Sequence, residues 1–505
     1  MNPKGYLSPS LRLSLFVAAN IGILLLMGLG IGLSAPNDPR IGYVMLLTLL
    51  CSSPILKLDR VNGEYFLLAV YSLVFFNFFA VADLMSILVG QTPETEGGIL
   101  TPSECVILAA LSAAILGYHA VAKWRNAQIT AAAATDWPFR SALTVGIVFW
   151  LLGTGALLYW QTYIITDRSN MSLAKNLENL GPWLTTVFMV GQMIQPLGVL
   201  ILAYLYAKYR RMPLFALIVV VVLAQVILGF IADFKGEAMQ AGIIVCVVKI
   251  YVDGKLPKGW LVAGALFVVF AFPVFQSYRT LVRGEHGVTS LQALENLPAT
   301  IEKAIQAENK VEAGFGGTAF KSQSFWERAS MKPSVEVVVR RTGTDKPFQM
   351  GATLTPIVAA FIPKLIWPDK PSVAVGQVFN KEFQLAEVAD TYISPSHVGE
   401  LYWNFGWAGV IVGSSLIGVL LGVVGTRCGA YPRLSLTRLL IMVLTIYAFA
   451  VGSEGSIAVA YVPWMRAMAA IGLLHWAFAR RVAQVDRVAN AEAQTSRPAF
   501  LHLMP

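Results

Sequence analysis

The chain has 505 residues, is 56 % hydrophobic and only 13 % charged, and has a mean hydropathy of +0.63. A soluble domain carries about 25 % charged residues, so a soluble globular protein is excluded, and apolar runs of roughly 20 residues exclude a β-barrel, whose strands are shorter and alternate. The net charge of +9 is read as a charge bias across a bilayer rather than as a nucleic-acid surface.

In chain order, twelve spans are predicted at 11–34, 41–56, 64–90, 104–122, 141–165, 183–207, 213–232, 238–252, 259–276, 407–426, 437–452 and 457–478. The fold class is therefore an all-α polytopic membrane protein. The N-terminus is basic and leads into an apolar segment with no A-x-A-like cleavage site, so the first span is expected to be retained. Cys51, Cys105, Cys246 and Cys428 lie in or beside apolar segments without metal-ligand spacing, which argues against a zinc site or a disulfide framework.

Sorting the connections fixes an expected orientation. Alternate loops and both termini hold 20 Lys and Arg residues, whereas the short loops of the other side hold 4. Short positively charged loops stay in the cytoplasm, so both termini are expected there. Residues 1–276 then form nine helices, 277–406 a large outer loop, 407–480 three more helices, and 481–505 a cytoplasmic tail. The outer loop balances 13 Lys and Arg against 13 Asp and Glu, a mixed composition that predicts a folded, mostly helical cap rather than a disordered tail. Amphipathic helices are expected within 288–313, and the apolar stretch at 355–367 reads as an interface-lying or re-entrant helix with Thr355 as N-cap.

An outer face has no nucleotide supply, and the sequence has neither a P-loop nor a dinucleotide fingerprint. Chemistry there must act on a lipid-carried substrate, or the protein must transport. Within "SPSHVGELYW" the Ser394-Pro395 pair predicts a helix start, with His397 in its first turn and Glu400 three residues on, on the same face. A neutral imidazole can accept a proton from a hydroxyl. A polar helix cap is the plain structural alternative for the pair. Arg279, Arg328, Lys235 and Lys364 are outward cations able to face a phosphate, and for each a solvated surface charge is the alternative. Arg466 lies inside the last span, where a charge is costly and faces a wet cavity or a partner. Trp367 and Asp369 belong to the proline-dense "FIPKLIWPDKP", which is either a sugar-contacting element or a structural turn. No compact acidic cluster points to a metal.

"FIPKLIWPDKP" followed by "SPSHVGELYWNFGWAGVIVG", together with "GFIADFKGEAM" and the tyrosine-arginine after the ninth span, resembles the bacterial Wzy-type O-antigen and oligosaccharide repeat-unit polymerases, and is similar to the related O-antigen ligases. The likeness covers mainly 225–425. It implies a glycosyltransferase of the bacterial inner membrane that polymerises undecaprenyl-diphosphate-linked repeat units at the periplasmic face without cofactor or metal. By that likeness His397 is the base or acceptor-orienting group with Glu400 beside it, and Arg279, Arg328 and Lys235 clamp the diphosphate. Lys364 stands where many relatives are expected to carry arginine. The partners implied are lipid-linked oligosaccharides and membrane lipids, not nucleic acid, and a chain-length regulator is a partner left open. Two other readings stay open on the sequence: a ligase-like glycan transferase and a polysaccharide flippase.

Overall fold

The computed structural model describes residues 7–31, 38, 40–58, 63–89, 100–125, 136–160, 182–232, 235–264, 266–267, 329–360, 362, 367, 375–386, 392–429 and 434–495. Among these, all regular elements are helical apart from one isolated bridge between Thr342 and Lys346. They are α1 (Pro9–Ile31), α2 (Arg40–Ser52), α3 (Phe66–Phe79), α4 (Val81–Val89), α5 (Pro102–Arg125), α6 (Phe139–Tyr159), α7 (Pro182–Tyr209), α8 (Met212–Ala232), α9 (Lys235–Asp253), α10 (Lys332–Arg341), α11 (Thr355–Ala359), α12 (Val375–Phe383), α13 (Ser396–Cys428), α14 (Leu436–Thr445) and α15 (Ile457–Thr495). Helices satisfy every backbone group internally, as hydrocarbon requires.

Among the described residues nine helices are long and apolar enough to cross a membrane, or ten if α3 and α4, bent by 46°, count as one span. The predicted eighth span is the 19-residue α9, which carries Lys235, Glu237, Lys249 and Asp253 and is less apolar than the nine. The predicted ninth span is helical at 258–264 and lies outside the described residues beyond 267. The 288–313 segment also lies outside them. Among the described residues of 355–367 the helix is the five-residue α11, with Thr355 as its first residue and Pro356 next, so Leu354 rather than Thr355 precedes it, and 361 and 363–366 lie outside the described residues.

The bundle is sewn together by small residues. α5 and α13 run parallel in close contact. Gly117 abuts the Ser415 backbone, Gly418 the Ala114 carbonyl, and Gly422 packs on Tyr118 and Val121. Side-chain-free positions let two backbones approach, the usual way helices associate where lipid removes the hydrophobic drive. α6 and α7 make an antiparallel pair of the same kind, with Gly153 against Gln195 and Gly198 against Trp150.

Two helices break inside apolar sequence, and in both cases the freed carbonyls find donors. At Ala80, between α3 and α4, Tyr43 donates its hydroxyl to Phe79 O at 2.8 Å and Met331 its N–H to Phe78 O at 2.9 Å. In α13 the break is at Phe405 and Gly406, where φ/ψ are −138°/15° and 60°/−144°. Only glycine adopts the second conformation without cost. The chain turns sharply enough that Leu401 packs on Gly409 and Gly413. The Trp403 and Asn404 carbonyls accept Gln349 N–H at 3.0 Å and Met350 N–H at 3.2 Å. The span expected at 407–426 therefore does begin where predicted, but a separate half-helix, 396–404, precedes it.

Beside that half-helix is a small second core. Trp403 is fully buried between Phe379 and Phe383, with ring centroids at 5.5 and 5.4 Å, and Val338 and Val375 close it. This places α10 and α12, from the predicted cap, directly against the half-helix that carries His397.

Candidate functional site

The half-helix starts on a strained residue. Ser396 has φ = 61°, a left-handed conformation that costs an ordinary L-residue about 1–2 kcal/mol. Its side-chain oxygen accepts the Gly399 N–H at 3.2 Å, the pattern of an N-cap bonded to the third helical residue. Ser396, not Ser394, is thus the capping residue, and Pro395 precedes the cap instead of occupying the first turn. His397 keeps the expected place at the start of the first turn.

His397 and Glu400 lie a turn apart on the half-helix, but buried rather than at an open mouth. Their relative exposures are 3 % and 0 %, and Ser396, Asn404 and Ser456 are at 0 %. The helical period puts Ser396, Glu400 and Asn404 on one stripe, each a turn apart. Glu400 Oε2 accepts the Ile457 N–H at 2.6 Å, so the carboxylate satisfies one of the free donors at the start of α15. Asn404 completes the nest: its Nδ2 donates to Thr353 Oγ1 at 2.7 Å and to Glu400 O at 2.8 Å, and its Oδ1 accepts Gly351 N–H at 2.9 Å. Ser456 borders the imidazole and Thr353 the carboxylate.

The polar accounting is incomplete at one point. Both ring nitrogens of His397 and Oε1 of Glu400 are buried without a well-formed hydrogen bond among the described residues. Buried polar atoms are nearly always paired, and an orphan costs about 1–3 kcal/mol. A cap, a helix start and an asparagine bridge fix the backbone around this pair, while among the described residues the imidazole nitrogens and Oε1 have only the marginal approaches of Ser456 and Thr353, which makes the pair the candidate for acid–base chemistry. Chemically the pair offers a proton acceptor, a neighbouring carboxylate and the positive end of a half-helix.

The other expected residues divide as follows. Arg466 is on α15, nine residues beyond Ile457, which is about 13 Å of helix rise from the residue that Glu400 holds. Trp367 is half exposed, at 40 %. Lys235 opens α9 with its backbone described and its side chain not. Arg279, Arg328, Lys364 and Asp369 lie outside the described residues.

A second buried polar centre lies between the first helices and α10. Lys332 donates to Asp83 at 2.6 Å and to Glu104 at 2.7 Å, and its ammonium sits 4.6 Å from the Tyr43 ring centroid. Burial penalises the lysine charge, but the two carboxylates outweigh it and hold its pKa above the usual 10.5. Nothing in the spacing singles out Lys332. Asp83 did carry a signal, as an acidic residue within an apolar span.

Comparisons with protein-family models, with curated proteins and with solved structures return no match.

Proposed function

We propose that this chain is a glycosyltransferase that polymerises undecaprenyl-diphosphate-linked oligosaccharide repeat units at the periplasmic face of a bacterial inner membrane, with its basic loops and both termini in the cytoplasm. The observation that carries the reading is the buried His397–Glu400 pair, fixed in a half-helix ahead of an apolar span, whose imidazole nitrogens and Oε1 lack a well-formed hydrogen bond among the described residues. The motif resemblance around residues 225–425 supports it independently.

In this mechanism the acceptor sugar's hydroxyl oxygen attacks the anomeric carbon of the donor glycan. The bond from that carbon to the diphosphate oxygen breaks, and undecaprenyl diphosphate leaves with the bonding electrons. His397 takes the hydroxyl proton, a contribution of about 10²–10⁴-fold for a positioned base. Glu400, one turn along the half-helix and held by the Ile457 N–H, supplies negative charge that balances the imidazolium once it forms. The leaving diphosphate needs fixed cations where its charge develops, a role given to Arg279, Arg328, Lys235, Lys364 and Arg466. Trp367 and Asp369 are assigned to the glycan. Both substrates are tethered to one membrane, so holding them together supplies much of the rate.

The test is in vitro. Purified protein in liposomes is given a lipid-linked repeat unit and the products are resolved by size. A ladder of multiples that His397→Gln abolishes is expected. A folded protein that makes no ladder, or a ladder undiminished in His397→Gln, would overturn the reading.

A further inference from the structure

The opposite end of the bundle holds a cavity that the transfer reaction does not use. Tyr251 of α9 donates to Cys428 O at 2.7 Å, so the ends of α9 and α13 meet far from His397, which starts α13. There, between α7, α8 and α9, is a cavity of about 390 Å³ lined by Tyr206, Arg210, Met212, Phe215, Lys249 and Asp253.

Its chemistry is two-sided. On the polar side, Arg210 and Lys249 both reach Asp253, at 2.7 and 3.3 Å. Two cations share one carboxylate, so the site keeps a net positive charge. Arg210 is 70 % exposed along its side chain, so its donors are only partly used. Lys249 also stands 5.1 Å over the Tyr206 ring, which holds the ammonium beside the cavity. On the apolar side, the Phe215 ring lies tilted against Tyr206 with centroids 5.7 Å apart, and Met212 and Phe215 are 75 % and 37 % exposed. Arg211, Lys255 and Lys258 stand at the same end and add to the positive field.

The backbone is bent to make this site. α7 ends at Tyr209 and α8 begins at Met212, so Arg210 and Arg211 form the whole turn. Arg210 has φ = 50°, a conformation that an arginine holds only at a cost. From this turn its guanidinium reaches Asp253 of α9 at 2.7 Å.

We propose that this cavity binds the phosphate of an anionic phospholipid headgroup, with Arg210 and Lys249 on the phosphate oxygens and the acyl chains running along Met212 and Phe215. Basic pockets between membrane helices suit such headgroups. The guanidinium fork matches two phosphate oxygens at once, and the exposed apolar wall continues into the hydrocarbon. Asp253 competes with the ligand for both cations, so it sets a modest affinity. The proposal is independent of the reaction assigned to His397.

Full-length protein in detergent is titrated with dioctanoyl phosphatidylglycerol, dioctanoyl phosphatidylcholine or inorganic phosphate, and the unfolding midpoint is followed, since a ligand bound only by the folded state raises it. Phosphatidylglycerol is expected to raise the midpoint saturably. Arg210→Gln should weaken its half-saturating concentration about fivefold, the worth of one interfacial cation. Asp253→Asn should tighten it, an effect opposite to that of losing a structural ion pair. Lys346→Gln, beside the half-helix and away from the cavity, should leave it unchanged. An equal rise with phosphatidylcholine, an equal rise with inorganic phosphate, or an unaltered titration in Arg210→Gln would each overturn the proposal.

Discussion

Lys332 and Glu104 are joined at 2.7 Å across 228 residues of chain. The pair, with Asp83 as the second carboxylate, ties α10 to α4 and α5. It is a buried polar link between the first spans and the segment that supports the half-helix. Side-chain exposure is 15 % for Lys332, 17 % for Asp83 and 5 % for Glu104, so removing the cation strands two nearly dry carboxylates. Lys332→Met should lower unfolding free energy by about 3 kcal/mol, and Lys332→Arg by clearly less. Equal losses in thermal or denaturant unfolding would show that charge pairing is not what the lysine supplies.

The same link has a pH signature. The folded-state pKa of Lys332 is raised above 10.5. Its stabilisation is therefore complete below that value and is lost as pH rises through the folded pKa. Wild-type protein should lose stability steeply on the alkaline side, and Lys332→Met should flatten that limb. Parallel alkaline curves for the two proteins would exclude Lys332 as the source.

Glu400 performs two separable tasks. Its Oε2 accepts the Ile457 N–H, which a neutral amide oxygen can also do. Glu400→Gln should keep the fold but reduce polymer formation, whereas Glu400→Ala should in addition cost about 1–3 kcal/mol by orphaning a buried donor. If Glu400→Gln polymerises normally, the carboxylate is only a helix cap.

Ser396 combines a cap with a strained backbone. Ser396→Ala keeps the strain and loses the cap, so about 1 kcal/mol of stability should go. Ser396→Gly loses the cap but relieves the left-handed penalty. Glycine should therefore be the more stable of the two variants by calorimetry. The reverse order would mean that the positive φ is not costly here.

The α5–α13 seam predicts a sharp contrast between glycines. A methyl at Gly418 would collide with the Ala114 carbonyl, whereas one at Gly472 meets nothing within 4 Å. Gly418→Ala should destabilise by about 1–3 kcal/mol through forced separation of the helices, and Gly472→Ala should be neutral. Similar unfolding midpoints for both variants would refute the seam.

Composition and apolar run length made the helical membrane class legible, because hydrocarbon leaves the backbone few alternatives. The three-residue spacing of His397 and Glu400 gave their shared helical face. Their burial was not legible, since it depends on Thr353 and Ser456 arriving from two other segments of the chain. Nor was the break at Phe405–Gly406, which lies in a run whose composition changes little across it. The seam did leave a trace: Ser414, Gly418 and Gly422 recur every fourth residue, the spacing of small contact residues in membrane helices. Lys332 left none, because its partners lie so far back along the chain.

The parallel seam also bears on biosynthesis. α5 is synthesised about 300 residues before the helix that fills its glycine face, a delay of roughly 15–60 s at ordinary translation speed. Through that interval its small-residue groove must rest against lipid or a provisional companion. Assembly of this protein is therefore paced by the late arrival of α13, and a ribosome stalled within the long intervening segment would leave α5 in the bilayer without its mate.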